Sequence, residues 1–120
     1  MNRALNAAGF VWSLPGTVIG LALGATMAAR PAMHDGAMVF TANRGFGALH
    51  RRLGFSAITF GRVILANRPL DETIMRHELA HVRQWDAFGP LTFVAYPLAS
   101  IRGYRRNPFE VAARKSAGEQ

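Results

Sequence analysis

No charged side chain occurs between Arg3 and Arg30, and a stretch this apolar belongs either in a protein core or in lipid. Taken as one helix from Ala4 to Ala29, it would extend ~35–39 Å, enough to cross a hydrocarbon core of about 30 Å with some tilt. Pro15 interrupts the pattern, though membrane-spanning helices tolerate proline better than soluble ones. Gly16, Gly20, Gly24 and Ala28 recur at every fourth position and share one face, the kind of small-residue ridge along which two apolar helices self-associate. Trp12 stands near one end, where an interfacial aromatic belongs. Two shorter accounts compete. A signal peptide would start at Met1-Asn2-Arg3 and be cut near Ala28, but its apolar part would exceed the usual ~7–15 residues. A helix from Pro15 to Ala29 would be ~22 Å long, too short to span, and would lie in the core or at an interface. The expectation is a membrane anchor over residues 1–30 followed by one domain over 31–120. Arg30, Arg44, Arg51 and Arg52 follow the run whereas Arg3 alone precedes it, so positive charge orients that domain to the cytoplasmic side of a bacterial inner membrane.

The chain has 120 residues, one domain with room for a short appended segment. Cysteine is absent, which excludes disulfide scaffolds, thiolate metal sites and cysteine nucleophiles. Net charge is +7, yet only 18% of residues are charged and 50% are apolar. That is too apolar for a disordered chain and unlike a nucleic-acid binder. Most phenylalanines lie in apolar runs rather than interleaved with arginine on a polar face, so no nucleic-acid partner is expected. Arginine supplies nearly all the positive charge, and alanine and glycine are abundant, as in proteins of high-GC bacteria.

Beyond Pro31 the texture changes. Ala37–Thr41 reads as a strand, and Ser56–Ala66 is β-branched and aromatic, with Gly61 marking a bulge or a bend between two short strands. His50-Arg51-Arg52 between them reads as a basic loop, and at most three short strands can be built. Asp71 is a suitable N-cap for a helix from Glu72 to about Phe88, stopped by Gly89-Pro90. Leu91–Ile101 is uncharged and suits a second helix kinked near Pro97, too short to span a membrane. Asn107-Pro108-Phe109-Glu110 opens a third, with cap, N1 proline and capping-box carboxylate in order. The expected fold is α+β: a small, mostly antiparallel sheet and three C-terminal helices, preceded by the apolar N-terminal helix.

Within the first of those helices stands His77-Glu78-Leu79-Ala80-His81, the HExxH pattern. Residues four apart project from one helical face, so both imidazoles reach a single ion. Glu78 is turned by about 100° from His77, cannot easily join them, and is placed to take a proton from water held by the ion. A catalytic zinc needs a third protein ligand and an open position. Asp86 faces well away and Glu119 lies at the terminus. His34 and His50 lie in loops and stay open as candidates. Glu110 is better placed, one turn into a helix that Leu91–Ile101 can fold back, with helix capping or an arginine partner as its competing role.

HELAHVRQ followed by GPLTFVAYPLASIRGYRRNPFEVAA resembles the small gluzincin-type zinc metallopeptidases, in which HExxH is completed by a downstream glutamate. The likeness is close from Thr73 to Ala113 and looser over Ile58–Ala66. It implies one zinc per chain held by His77, His81 and Glu110, with Glu78 as general base. It also implies an edge strand on which peptide substrate lies extended, here Thr59 to Leu65 with Thr59, Gly61, Val63 and Leu65 as contacts. Tyr104 or Arg106 would stabilise the developing oxyanion. The function expected is hydrolysis of peptide bonds at the membrane. The alternative is a noncatalytic, zinc-stabilised membrane protein serving structure or partner binding.

Overall fold

The computed structural model describes residues 3–118, with side chains for 8–101 and 103–118. In place of one N-terminal helix there are two, α1 (Arg3–Trp12) and α2 (Leu14–Ala25), meeting at Ser13. Pro15 has no N–H for the Val11 carbonyl, so the helical ladder is interrupted at the elbow. The Ser13 hydroxyl donates to the Phe10 carbonyl there at 3.1 Å. No helix among the described residues is long and apolar enough to cross a membrane, which corrects the expected spanning helix.

Packing around the glycine stripe explains the difference. A Cβ on Gly16 would lie 2.6 Å from the Trp85 ring, on Gly20 2.6 Å from the Val63 Cβ, and on Gly24 2.9 Å from the Phe40 ring. The face expected to meet a second copy is filled from within the chain. Met27, just beyond α2, shares a core cluster with Phe40, Val63 and Leu65, and Leu23 packs against it. The glycine face of α2 and the residues just after it are therefore packed into the domain core.

The sheet has four strands, β1 (Ala32–His34), β2 (Ala37–Thr41), β3 (Ala57–Phe60) and β4 (Val63–Ala66), in the order β1-β2-β4-β3. It is mixed. β1–β2 and β3–β4 pair antiparallel, and β2–β4 pairs parallel with Val39 opposite Ile64. The fourth strand is β1, whose three residues are all exposed and so give no alternation to read. Gly61, at φ +59°, makes the turn of the β3–β4 hairpin against Thr17 of α2. The stretch expected as a basic loop is α3 (Phe46–Arg52), with His50, Arg51 and Arg52 in its last turn, where positive charge suits the helix dipole.

Both sheet faces are covered. Val39, Ile64 and Ala66 pack against Leu79 and Val82 of α4 (Glu72–Phe88), while Phe40, Val63 and Leu65 meet α2 and Phe46 of α3. β4 is therefore buried at all four positions, as a central strand between two layers must be. α4 has the expected bounds. Asp71 accepts from the Ile74 N–H at 2.8 Å, and Gly89 ends the helix at φ +54°. A 3-10 turn (Gly89–Leu91) leads into α5 (Thr92–Ala99), and two further 3-10 turns precede α6 (Pro108–Ser116).

Candidate metal centre

The motif helix lies across the β3 side of the sheet, and this contact aims its histidines. The Trp85 indole N–H donates to the Thr59 carbonyl at 3.1 Å, and the Thr59 hydroxyl donates to Glu78 Oε1 at 2.9 Å. Glu78 is held towards β3, while His77 and His81, turned by about 100° and about 60° from it around the helix, reach Glu110 of α6. Asn107 brings α6 to them: its Oδ1 accepts from Phe109 N–H at 2.8 Å, and its Nδ2 donates to the Ser100 hydroxyl at 2.6 Å and the Tyr96 carbonyl at 3.2 Å. Glu110 then sits one turn into α6 with its carboxylate turned to the histidines rather than back to the helix start. Glu110 Oε1 lies 3.0 Å from His77 Nε2 and 3.2 Å from His81 Nε2.

His77, His81 and Glu110 are buried and bring their ligand atoms within 4.8 Å of one another, a group that can hold a metal ion. The tautomer of His81 supports that fit. Gln84 Nε2 donates to the Phe109 carbonyl at 2.9 Å, which leaves Gln84 Oε1 to face His81 Nδ1 at 2.8 Å. An amide oxygen only accepts, so Nδ1 carries a proton and the Nε2 lone pair of the neutral ring points at the Glu110 carboxylate. Two electron-rich atoms at that spacing require a cation between them, either a proton or a metal, and an outer partner on the far ring nitrogen is the usual companion of a metal-ligating histidine.

The charges follow the same arrangement. Burial works against the charge on Glu110, but the imidazoles of His77 and His81 and the Tyr96 hydroxyl outweigh it and hold the carboxyl well below its ordinary range. Burial opposes the His81 cation, yet Glu110, Glu78 and Gln84 together raise its pKa. Burial pushes the Glu78 carboxyl up, opposed by His81, the Thr59 hydroxyl and His77. The Tyr96 hydroxyl donates to Glu110 Oε2, and burial and that carboxylate raise the phenols of Tyr96 and Tyr104, keeping both protonated donors.

A cleft of about 300 Å³ opens onto the group, walled by β3, α4 and α5; Glu78, His81 and Glu110 lie in its lining with Phe60, Trp85, Phe93, Tyr96 and Tyr104. Of the expected substrate contacts, Thr59 is in the cleft and holds Glu78. Gly61 is in the hairpin turn against α2, and Val63 and Leu65 are fully buried in the central strand, so these three are not on an edge. Within Thr59–Leu65 only the β3 part lies at a sheet edge, the other edge being β1. Tyr104 reaches the cleft, whereas Arg106 is exposed and outside its lining. His34 is exposed beside Asp35, and His50 is buried against Asn67, so neither joins the group. Asp86 pairs with Arg62 at 2.8 Å, and Glu119 lies outside the described residues. Tyr96 and Gln84 were not foreseen. Thr92, Tyr96 and Ser100 at i, i+4, i+8 form a polar stripe on an otherwise apolar run, the signal that α5 turns one face to a polar site. Among known proteins, no family model, curated protein or solved structure matches the chain.

Proposed function

We propose that the chain is a zinc-dependent peptidase in which His77, His81 and Glu110 hold one zinc ion and Glu78 is the general base. The supporting observation is that Glu78 lines one open cleft together with His81 and Glu110, two of the three donor residues; a purely structural zinc site is closed by its protein ligands. Two imidazoles and a carboxylate match the donor set of catalytic zinc sites. When bound, the ion supplies Lewis acidity, which acidifies water and polarises a carbonyl. Glu78, steadied by Thr59, accepts the proton from the attacking water and passes it to the leaving amine. Its raised pKa suits both halves of that transfer. Tyr96 fixes the Glu110 carboxylate, and Tyr104 donates to the oxyanion that develops at the scissile carbonyl. Substrate lies extended beside the β3 edge, with its apolar side chains among Phe60, Trp85 and Phe93.

A second account, a noncatalytic zinc tie, has its own observation: the donor group joins α4 to α6, so an ion there would fasten the C-terminal helix to the domain. Glu78→Gln separates the two. In the peptidase, the zinc-loaded wild type cleaves an unstructured protein substrate, chelation stops it, and Glu78→Gln keeps its zinc while cleavage falls at least ~10²-fold. Equal cleavage by wild type and Glu78→Gln, or none by either when zinc-loaded, contradicts the proposal.

A further inference from the structure

The outward face of α2 is apolar throughout. Between Ser13 and Thr26 the only polar side chain is Thr17, which is buried against the sheet with the glycines. Leu14, Val18 and Leu21 consequently point outward, and Val18 is 60% exposed. α5 and its flanking turns repeat the pattern. Thr92 and Tyr96 turn to the cleft, while Val94 and Leu98 are each 60% exposed and Ile101 78%. Both helices border the 3-10 turn Gly89–Leu91, whose Leu91 is itself exposed. α2 packs on that turn, and Trp12 covers Gly89 so closely that a Cβ there would be 2.5 Å from the indole.

A helix on a soluble protein's surface ordinarily carries charge on its outer face, and a contiguous exposed apolar patch marks a docking surface. Charge decides what docks. Neither apolar run contains a charged residue; Arg30 closes the first, and Arg102, Arg105 and Arg106 close the second, in a chain of net charge +7. A second copy would set these arginines against their own kind. An anionic bilayer supplies hydrocarbon for the face and opposite charge for its borders. We propose that this face seats the chain on an anionic lipid bilayer, lying in the interface plane instead of crossing it. The same helix gives Phe93 and Tyr96 to the cleft and Val94 and Leu98 to the surface, so docking holds the cleft at the lipid boundary. Lipid docking and peptide hydrolysis stand or fall separately.

The test is flotation of the full chain with vesicles of phosphatidylglycerol and phosphatidylcholine, against phosphatidylcholine alone, with tryptophan quenching by brominated acyl chains. Trp12 is half-exposed on the proposed face whereas Trp85 is buried in protein, so quenching reports burial of Trp12 in lipid. The expected result is binding that favours the anionic vesicles, with quenched emission that Trp12→Phe removes. Val18→Asp and Leu98→Asp each lower the partition coefficient at least ten-fold with an unchanged far-ultraviolet circular dichroism spectrum. Should either variant misfold, wild-type quenching still decides. Three results overturn the proposal: no flotation with anionic vesicles; flotation lost in ~1 M salt with Trp12 never quenched, which is charge attraction alone; or a lipid-free dimer that does not bind vesicles, which makes a second copy the occupant.

Discussion

Replacing Gln84 with leucine removes a contact to each half of the donor group at once. Gln84 Oε1 accepts from His81 Nδ1 at 2.8 Å, and Gln84 Nε2 donates to the carbonyl of Phe109, the residue before Glu110, at 2.9 Å. Leucine keeps the bulk but leaves the Nδ1–H without an acceptor, so the ring can turn or change tautomer, and it unties the start of α6. Loss of one such outer partner typically weakens metal binding 10–100-fold, about 1.4–2.7 kcal/mol. Because this residue tethers two ligands, the upper part of that range is expected. The metal-free protein loses two neutral, partly exposed hydrogen bonds with a net worth of about 1 kcal/mol each, lowering Tm by several degrees. Competition with a chromophoric chelator measures zinc affinity, and calorimetry of the metal-free chain measures the stability change. Zinc affinity within about three-fold of wild type, on the scale where tenfold is 1.4 kcal/mol, would refute the reasoning. It would mean either that Gln84 does not orient His81 or that His81 is not a ligand.

Other perturbations test the frame around the site. Gly20→Ala gains about 1 kcal/mol of helix propensity, but its Cβ would stand 2.6 Å from that of the fully buried Val63. Overpacking of that kind costs about 1–3 kcal/mol, so Tm should fall; a rise would show that α2 is not seated on the sheet. Burial holds the His50 ring below its ordinary value of 6.5, opposed by the nearby backbone of Phe55 and Leu65, which favours the protonated ring. The unfolded chain therefore binds a proton there first, and the contribution of His50 is complete above about pH 6.5 and is lost as pH falls below it, with a slope of at most about 1.4 kcal/mol per pH unit. Chemical denaturation of wild type and His50→Gln across pH 5–8 should show a shallower acid limb in the variant; parallel limbs would place the proton uptake elsewhere.

Sequence and structure agree most closely where local signals are self-sufficient. Asp71 and Gly89 bound the motif helix because capping and left-handed termination are decided within a few residues. The turn of Glu110 towards the histidines followed from Asn107-Pro108 opening a helix after a fold-back segment. The N-terminal glycines were legible as a close-approach face, but a stripe of small residues does not specify what approaches. A lipid-embedded helix and a sheet carrying Val63 and Phe40 impose the same spacing. The substrate edge was misplaced for a related reason. Val63-Ile64-Leu65-Ala66 is a continuous apolar run, the mark of a strand covered on both faces, whereas Ala57–Phe60 alternates in burial and forms the edge. β1 carries no pattern because nothing covers it. Tyr96 was hidden inside an apolar stretch whose polar stripe becomes visible only at helical spacing.

The most direct measurement is X-ray absorption at the zinc edge on the chain loaded with one equivalent of metal. The account predicts four-coordinate zinc with two imidazole nitrogens at about 2.0–2.1 Å and oxygen in the remaining positions. The spectrum should lose one imidazole in His77→Ala or His81→Ala and keep its nitrogen shell in Glu78→Gln. A nitrogen shell unchanged by either histidine substitution, or a third imidazole closing the site, would contradict an open centre built from His77, His81 and Glu110.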